Sequence, residues 1–315
     1  MKIVFTDADT VTAGDIGFSS FAAYGTVVRY GVTAPGQTAE RVRDADAVIC
    51  NKTLITREVM EKAPNLKYIG ILATGYNNVD LDCAKERGIT VTNVPGYSTD
   101  GVVQLVFTFI FELFGNLGKY RSSVAAGDWI KSPTFSYFPY PIRCVAGKTI
   151  GVVGYGAIGS RVAKAAEAFG MNVIVCTRTQ KPDCPYRFVD MDTLLRESDI
   201  VTLHCPLTPQ SEKLMNADSF AKMKQGAVLI NTSRGPVVDE QALRDALDSG
   251  KLAGAGLDVL CREPMAADCP LYGAPNCIIT PHIAWAAYET RQRLLKIAEE
   301  NLSAYINGAP QNTVG

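Results

Sequence analysis

Histidine is nearly absent from this chain: His204 and His282 are the only two among 315 residues. Nine cysteines stand at positions 50, 83, 144, 176, 184, 205, 261, 269 and 277, none of them paired as CxxC. With so few imidazoles and no thiolate cluster, the donor set of a structural zinc is missing and no metal is expected. The scattered thiols, several of them inside apolar runs, read as reduced, buried, small hydrophobes. An excess of either charge is also lacking, because 31 Lys and Arg offset 32 Asp and Glu and no basic block occurs. That balance argues against nucleic acid or an acidic membrane surface as a partner. The longest apolar run, 102–114, contains Gln104, Thr108 and Glu112 and is too short for a bilayer, so it reads as a buried helix. No signal-type apolar segment precedes the strand-like residues 2–5, and the protein is expected to stay in the cytoplasm.

What is present is alternation. At 47% hydrophobic and 20% charged residues the chain has ordinary globular composition, and its length allows two domains. Short runs rich in β-branched residues at 3–5, 47–50, 68–72 and 89–92 alternate with polar helical stretches such as 39–44 and 56–63. The pattern restarts after residue 148, with strands at 150–153, 173–176, 200–203, 227–230, 255–258 and 277–279 and helices such as 239–249. Residues 132–144, crowded with Pro and aromatics, predict no long regular element and suit a domain bridge or a subunit contact. The last helix, 288–305, follows the second set of strands and is expected to cross back to the first domain.

Between the strand at 150–153 and a helical stretch at 160–169 stands Gly154-Tyr155-Gly156-Ala157-Ile158-Gly159. This is the pattern of a dinucleotide-binding turn: Gly154 for the tight bend, Gly156 for close approach of a pyrophosphate, Gly159 for helix packing on the strand. The turn lies near mid-chain, so a second domain must be built largely from the residues before it. An enzyme that selects NAD usually carries an acid about 20 residues beyond such a turn, on the ribose hydroxyls. Counting 18 positions from Gly159 reaches Thr177, then Arg178 and Thr179, with no acid. A hydroxyl beside a guanidinium suits a 2′-phosphate, so the expectation leans to NADP(H). An Arg178 that merely stacks on adenine, with NAD(H) as coenzyme, stays open, as does mixed use.

Three further segments leave strand ends: Asn231-Thr232-Ser233-Arg234-Gly235, then Leu257-Asp258-Val259-Leu260-Cys261-Arg262-Glu263-Pro264, and Thr280-Pro281-His282. Their residue types suit reduction of a 2-keto acid. Arg234 can fork onto a carboxylate and carbonyl oxygen, His282 can protonate that oxygen, and a carboxylate at Glu263 would favour the imidazolium and orient the ring. With the mid-chain glycine turn, these segments closely resemble the D-isomer-specific 2-hydroxyacid dehydrogenases over essentially the whole chain. The resemblance implies an α/β chain of two doubly wound parallel-sheet domains. A Rossmann NAD(P)-binding domain, 99–287, is inserted into a flavodoxin-like substrate domain, 1–98 plus 288–315, with hinges near 98 and 287. It makes Arg234, Glu263 and His282 the catalytic set.

Other positions carry over from the same resemblance. Ala157 and Ile158 match the pyrophosphate turn; Cys205, Pro206 and Ser211 match the loop under the adenosine half; Thr232 and Asp258 match residues near the nicotinamide, with Asp258 able to bond its carboxamide. His204 matches a part of the family that lines the cofactor and reads as structural or cofactor-adjacent. Ala73, Thr74, Gly75 and Tyr76 resemble the loop whose amides receive the substrate carboxylate. Pro95 to Thr99 and the run His282-Ile283-Ala284-Trp285 look like the glycerate dehydrogenase (hydroxypyruvate reductase) branch, with Trp285 capping the substrate side chain or packing between domains. The expected partner is a small 2-keto or 2-hydroxy acid, hydroxypyruvate or glyoxylate first and pyruvate second. A non-catalytic dinucleotide sensor remains the reading from another class. Exposed aromatics in 124–142 point to a homodimer.

Overall fold

The central strands of the first sheet are short runs with no polar face. Every residue of Ala47–Cys50 and of Tyr68–Ile71 is buried, as a parallel strand covered on both sides requires. The computed structural model describes all 315 residues, which divide into two units, Met1–Ser98 with Trp285–Gly315, and Thr99–Ala284.

The first unit runs β1 (Lys2–Phe5), β2 (Thr26–Arg29), α1 (Thr38–Val42), β3 (Ala47–Cys50), α2 (Arg57–Glu61), β4 (Tyr68–Ile71), α3 (Leu81–Glu86) and β5 (Thr90–Thr92). All pairings are parallel, in the order β2-β1-β3-β4-β5. This is the flavodoxin-like order, which reverses between β1 and β3. At that reversal the buried Asp7 carboxylate accepts the amides of Asn51 (2.8 Å), Lys52 (2.6 Å) and Thr53 (2.7 Å), joining the ends of the two strands.

The second unit contains α4 (Thr99–Gly115), α5 (Leu117–Ala125), β6 (Thr149–Val153), α6 (Ala157–Ala168), β7 (Asn172–Cys176), β8 (Arg187–Phe188), α7 (Met191–Glu197), β9 (Ile200–Leu203), α8 (Ala217–Lys222), β10 (Ala227–Asn231), α9 (Glu240–Asp248), β11 (Leu252–Leu257) and β12 (Cys277–Ile279). Its parallel sheet is ordered β12-β11-β10-β9-β6-β7-β8, a doubly wound arrangement that reverses between β6 and β9. The chain then returns to the first unit as α10 (Tyr288–Ile306), which buries Leu294, Leu295, Ala298 and Leu302 there. No single helix is long and apolar enough to cross a membrane.

Several expectations need correction. Strands β2 and β8 escape the sequence pattern because each is an edge strand that carries a polar residue at an exposed end, so the second sheet has seven strands rather than six. The return to the first unit comes at Trp285 rather than 288, because the Trp285 ring packs against that unit's core. The nine thiols are free, but only Cys50 and Cys83 are buried; Cys176, Cys184, Cys205, Cys269 and Cys277 are half-buried, and Cys144 and Cys261 are exposed. Residues 132–144 form no regular element, as their Pro and aromatic content implies.

Removing the Asp7 carboxylate would strand three inward amides, each costing about 1–3 kcal/mol. Asp7→Ala is therefore expected to lower the unfolding free energy by about 3 kcal/mol or more. Urea denaturation checks this, and a loss below about 1 kcal/mol would contradict it.

Candidate active site

Parallel sheets bind ligands beyond the carboxyl ends of their strands, at the point where strand order reverses. In the second unit those ends carry the Gly154 turn after β6, His204 after β9, Arg234 after β10, Asp258 to Glu263 after β11 and His282 after β12. Gly154 has φ of +92°, and a Cβ on it would lie 2.8 Å from the His204 carbonyl and the Cys205 nitrogen, so only glycine lets the β6 and β9 loops meet. At Gly156 a Cβ would meet nothing within 4 Å.

The start of α6 differs from five other helix starts and shares its lack of a side-chain cap with α1, α5 and α10. Thr56, Asp80, Asp190, Asn216 and Asp239 each cap the start of α2, α3, α7, α8 or α9 with a side-chain oxygen. Helix α6 instead has Gly156 at its N-cap, with no side-chain cap on its first amides. Leading amides left to an outside acceptor, behind a glycine with open space, are what a pyrophosphate needs. Thr232 adds a buried hydroxyl with no partner in the chain. Ala157, Ile158 and Gly159 form the first turn of α6, so the residues present fit a dinucleotide.

At the end of β7, Arg178 is exposed and Thr177 turns its hydroxyl toward the Thr179 carbonyl (3.5 Å). A second cation, Lys181, lies 5.9 Å from the ring of Tyr155 in the glycine turn. Ser211 braces its own loop, donating to the Pro206 carbonyl (2.7 Å) and accepting the Thr208 amide (2.8 Å). His204 bonds Thr202 (2.9 Å), and burial pushes its imidazole down to about 3.

The candidate side chains rest on backbone devices that sequence reasoning did not anticipate. Asn231 accepts the Ser233 amide (3.0 Å) and donates to the Arg234 carbonyl (3.0 Å), closing the turn that presents Arg234. The guanidinium is exposed and also reaches the Ser233 carbonyl (2.7 Å). A Cβ on Gly235 would lie 2.0 Å from the Leu260 carbonyl, so the Arg234 turn sits directly on the backbone leading to Glu263. The only sequence signal for this contact was a glycine adjoining the arginine.

Glu263 is held at both oxygens. Oε1 accepts the Leu260 amide (3.0 Å) and Oε2 meets His282 Nδ1 at 2.7 Å. A carboxylate can only accept, so Nδ1 carries the proton and donates, which leaves Nε2 for chemistry. His282 itself has φ of +56°, a left-handed conformation uncommon outside glycine. Asp258 fixes that turn: Oδ1 accepts Thr280 Oγ1 (2.6 Å) and the Ile283 amide (2.8 Å), and Oδ2 accepts the Ala284 amide (2.8 Å). Burial pushes the Asp258 carboxyl up, while these bonds pull it back down. Three donors of its own chain thus engage the carboxylate that the family resemblance assigns to the carboxamide, and Asp258 positions His282.

In the first unit, Ala73, Thr74, Gly75 and Tyr76 form the loop after β4. The Ala73 carbonyl accepts the Val94 amide (2.9 Å), Thr74 Oγ1 donates to the Val94 carbonyl (2.9 Å), and the Thr74 carbonyl accepts Asn93 Nδ2 (2.7 Å). Trp285, half-buried, belongs to this unit.

The chain is similar to known proteins. A family model described as "D-isomer specific 2-hydroxyacid dehydrogenase, NAD binding domain" matches residues 107–284. The chain is 44% identical over 322 residues to a hydroxypyruvate reductase of Blautia hydrogenotrophica, covering 100% of this chain and 99% of that one. It is 40% identical over 316 residues to a glycerate dehydrogenase of Methylorubrum extorquens, covering 99% and 98%. Among solved structures, an acyclic imino acid reductase in complex with NADPH and D-Arg matches with a TM-score of 0.88 and 31% identity over 100% of both chains.

A depressed imidazole such as that of His204 has a definite signature. Its neutral form is favoured by the fold, so its contribution to stability is complete above the ordinary histidine value of about 6.5 and is lost as pH falls toward 3. Nitrogen NMR should show the His204 ring unprotonated at pH of about 5. Protonation near about 6.5 would contradict its burial.

Proposed function

Because the chain belongs to the D-isomer-specific 2-hydroxyacid dehydrogenase family, we propose that it reduces small 2-keto acids to D-2-hydroxy acids with a nicotinamide dinucleotide. Hydroxypyruvate, giving D-glycerate, is the first substrate and glyoxylate, giving glycolate, the second. The observation that carries this reading is the 2.7 Å bond between His282 Nδ1 and Glu263, on a strand-end loop packed against the Arg234 turn.

Bound nicotinamide supplies the hydride. Arg234 pairs with the keto acid, polarising the carbonyl and holding the carboxylate with a planar fork. His282 Nε2 delivers a proton to the carbonyl oxygen as it becomes a hydroxyl, while Glu263 holds the ring by its Nδ1. Formate oxidation, which releases no hydroxyl proton, would have no use for the His282 and Glu263 pair. The amides at the start of α6 hold the pyrophosphate, with Gly154, Gly156, Ala157, Ile158 and Gly159 shaping the cradle. Cys205, Pro206, Ser211, Thr232 and Asp258 line or brace the rest of the coenzyme site. In the first unit the Ala73–Gly75 backbone is a nest for the substrate carboxylate, with Trp285 near the substrate side chain.

The lack of an acid beyond β7, with Thr177 and Arg178 in its place, favours NADP(H) by charge. The exposed apolar side chains Trp129, Ile130, Phe135, Phe138 and Ile142 suit a second copy of this chain, giving a homodimer. Nine unpaired thiols suit the cytoplasm.

Steady-state oxidation of NADPH and NADH over hydroxypyruvate, glyoxylate and pyruvate tests the reading. Hydroxypyruvate with NADPH is expected to give the highest kcat/KM. His282→Ala should lose about 100- to 10,000-fold in kcat while coenzyme affinity holds. Coenzyme binding with no turnover of any keto acid would overturn the enzyme reading in favour of a sensor, and a clear preference for NADH would overturn the coenzyme assignment.

A further inference from the structure

A line of hydrogen bonds in the first unit runs from the end of the chain to the loop assigned above to the substrate carboxylate. The tail pairs with β5 through an antiparallel bridge between Thr92 and Thr313, with the Val314 amide on the Val91 carbonyl (2.9 Å) and the Asn93 amide on the Asn312 carbonyl (3.1 Å). Asn312 Nδ2 donates to Asn301 Oδ1 (2.8 Å), and Asn301 Nδ2 donates to the Asn93 carbonyl (2.9 Å). Asn93 Nδ2 then donates to the Thr74 carbonyl (2.7 Å).

Two features mark this relay as more than packing. Asn301 is 1% exposed on the α10 face that otherwise buries Leu294, Leu295, Ala298 and Leu302, where an aliphatic side chain would hold the helix at no polar cost. The relay also ends on a peptide whose orientation matters. In a planar trans peptide the carbonyl of one residue points opposite to the amide of the next. Fixing the Thr74 carbonyl therefore aims the Gly75 amide, and the Val94 bond to the Ala73 carbonyl aims the Thr74 amide in the same way. These two amides are the donors of the proposed nest.

We propose that the C-terminal tail, through Asn312, Asn301 and Asn93, positions the Ala73–Gly75 amides and so sets affinity for the carboxylate of the 2-keto acid. The three asparagines are positioning residues, since none is assigned contact with substrate. The proposal rests on the reading of that loop as the carboxylate nest.

The experiment compares wild type, Asn312→Asp and Asn301→Leu as full-length holoenzymes, reading KM and kcat for hydroxypyruvate and the Kd of oxamate, a 2-keto acid analogue, with coenzyme bound. Asn312→Asp keeps the shape of a partly exposed tail residue but loses the donor, so folding is not at stake. Both variants are expected to raise KM and the oxamate Kd by about tenfold, with kcat and coenzyme Kd within about twofold of wild type. Unchanged KM and oxamate Kd in Asn312→Asp, with an active wild type, would overturn the relay alone, as would a fall in kcat at constant KM. A wild type that neither turns over hydroxypyruvate nor binds oxamate would overturn the functional reading and the relay with it.

Discussion

Asp258 is a carboxylate with almost no exposed surface, and it takes hydrogen bonds from Thr280, Ile283 and Ala284. Those three donors flank His282 and hold it in a left-handed backbone conformation that a histidine would otherwise seldom adopt. From that conformation the imidazole reaches Glu263, which is itself tied to the Leu260 amide. The chain between Asp258 and Ala284 is therefore closed at both ends, by the Asp258 turn and by the imidazole–carboxylate bond. Directional bonds of this kind fix the imidazole in advance, and fixed polar groups are where enzymes gain most.

Sheet topology supplies the rest of the arrangement. Parallel strands send their carboxyl ends to one edge, so segments far apart in sequence, at 154, 204, 234, 258 and 282, open on the same side of one sheet. Two glycines remove the spacing that side chains would impose there: Gly154 lets the β6 and β9 loops touch, and Gly235 lets the Arg234 turn lie on the Leu260 backbone. In the first unit the comparable reversal point is filled by the chain's own Asp7 carboxylate.

The interior strands were legible in the sequence because burial on both faces forbids polar residues, and α10 was legible from its long helical pattern. Two of the four edge strands were not: Thr26–Arg29 and Arg187–Phe188 carry polar residues that solvent tolerates, whereas the edge strands Thr90–Thr92 and Cys277–Ile279 were legible. At the candidate site, Arg234, Glu263 and His282 could be picked out because each follows a strand end and has the residue type the chemistry needs. What holds them could not. The roles of Asp258 and Gly235 depend on partners brought near only by the fold, and the Asn301 bond to Asn93 spans 208 positions. Exposure of Cys144 and Cys261 was hidden for the same reason, since a thiol in an irregular segment has no periodicity to betray its side.

The central claim is that the buried Asp258 carboxylate, through the turn it clamps, places the His282 imidazole on Glu263. With only two histidines in the chain, nitrogen-edited NMR of the ring N–H groups tests it directly. The account predicts a hydrogen-bonded Nδ1 proton for His282 in the wild type that is lost in Asp258→Asn, whose amide nitrogen cannot accept from the Ala284 amide, although Glu263 remains in place. A His282 Nδ1 proton unchanged in Asp258→Asn would contradict it.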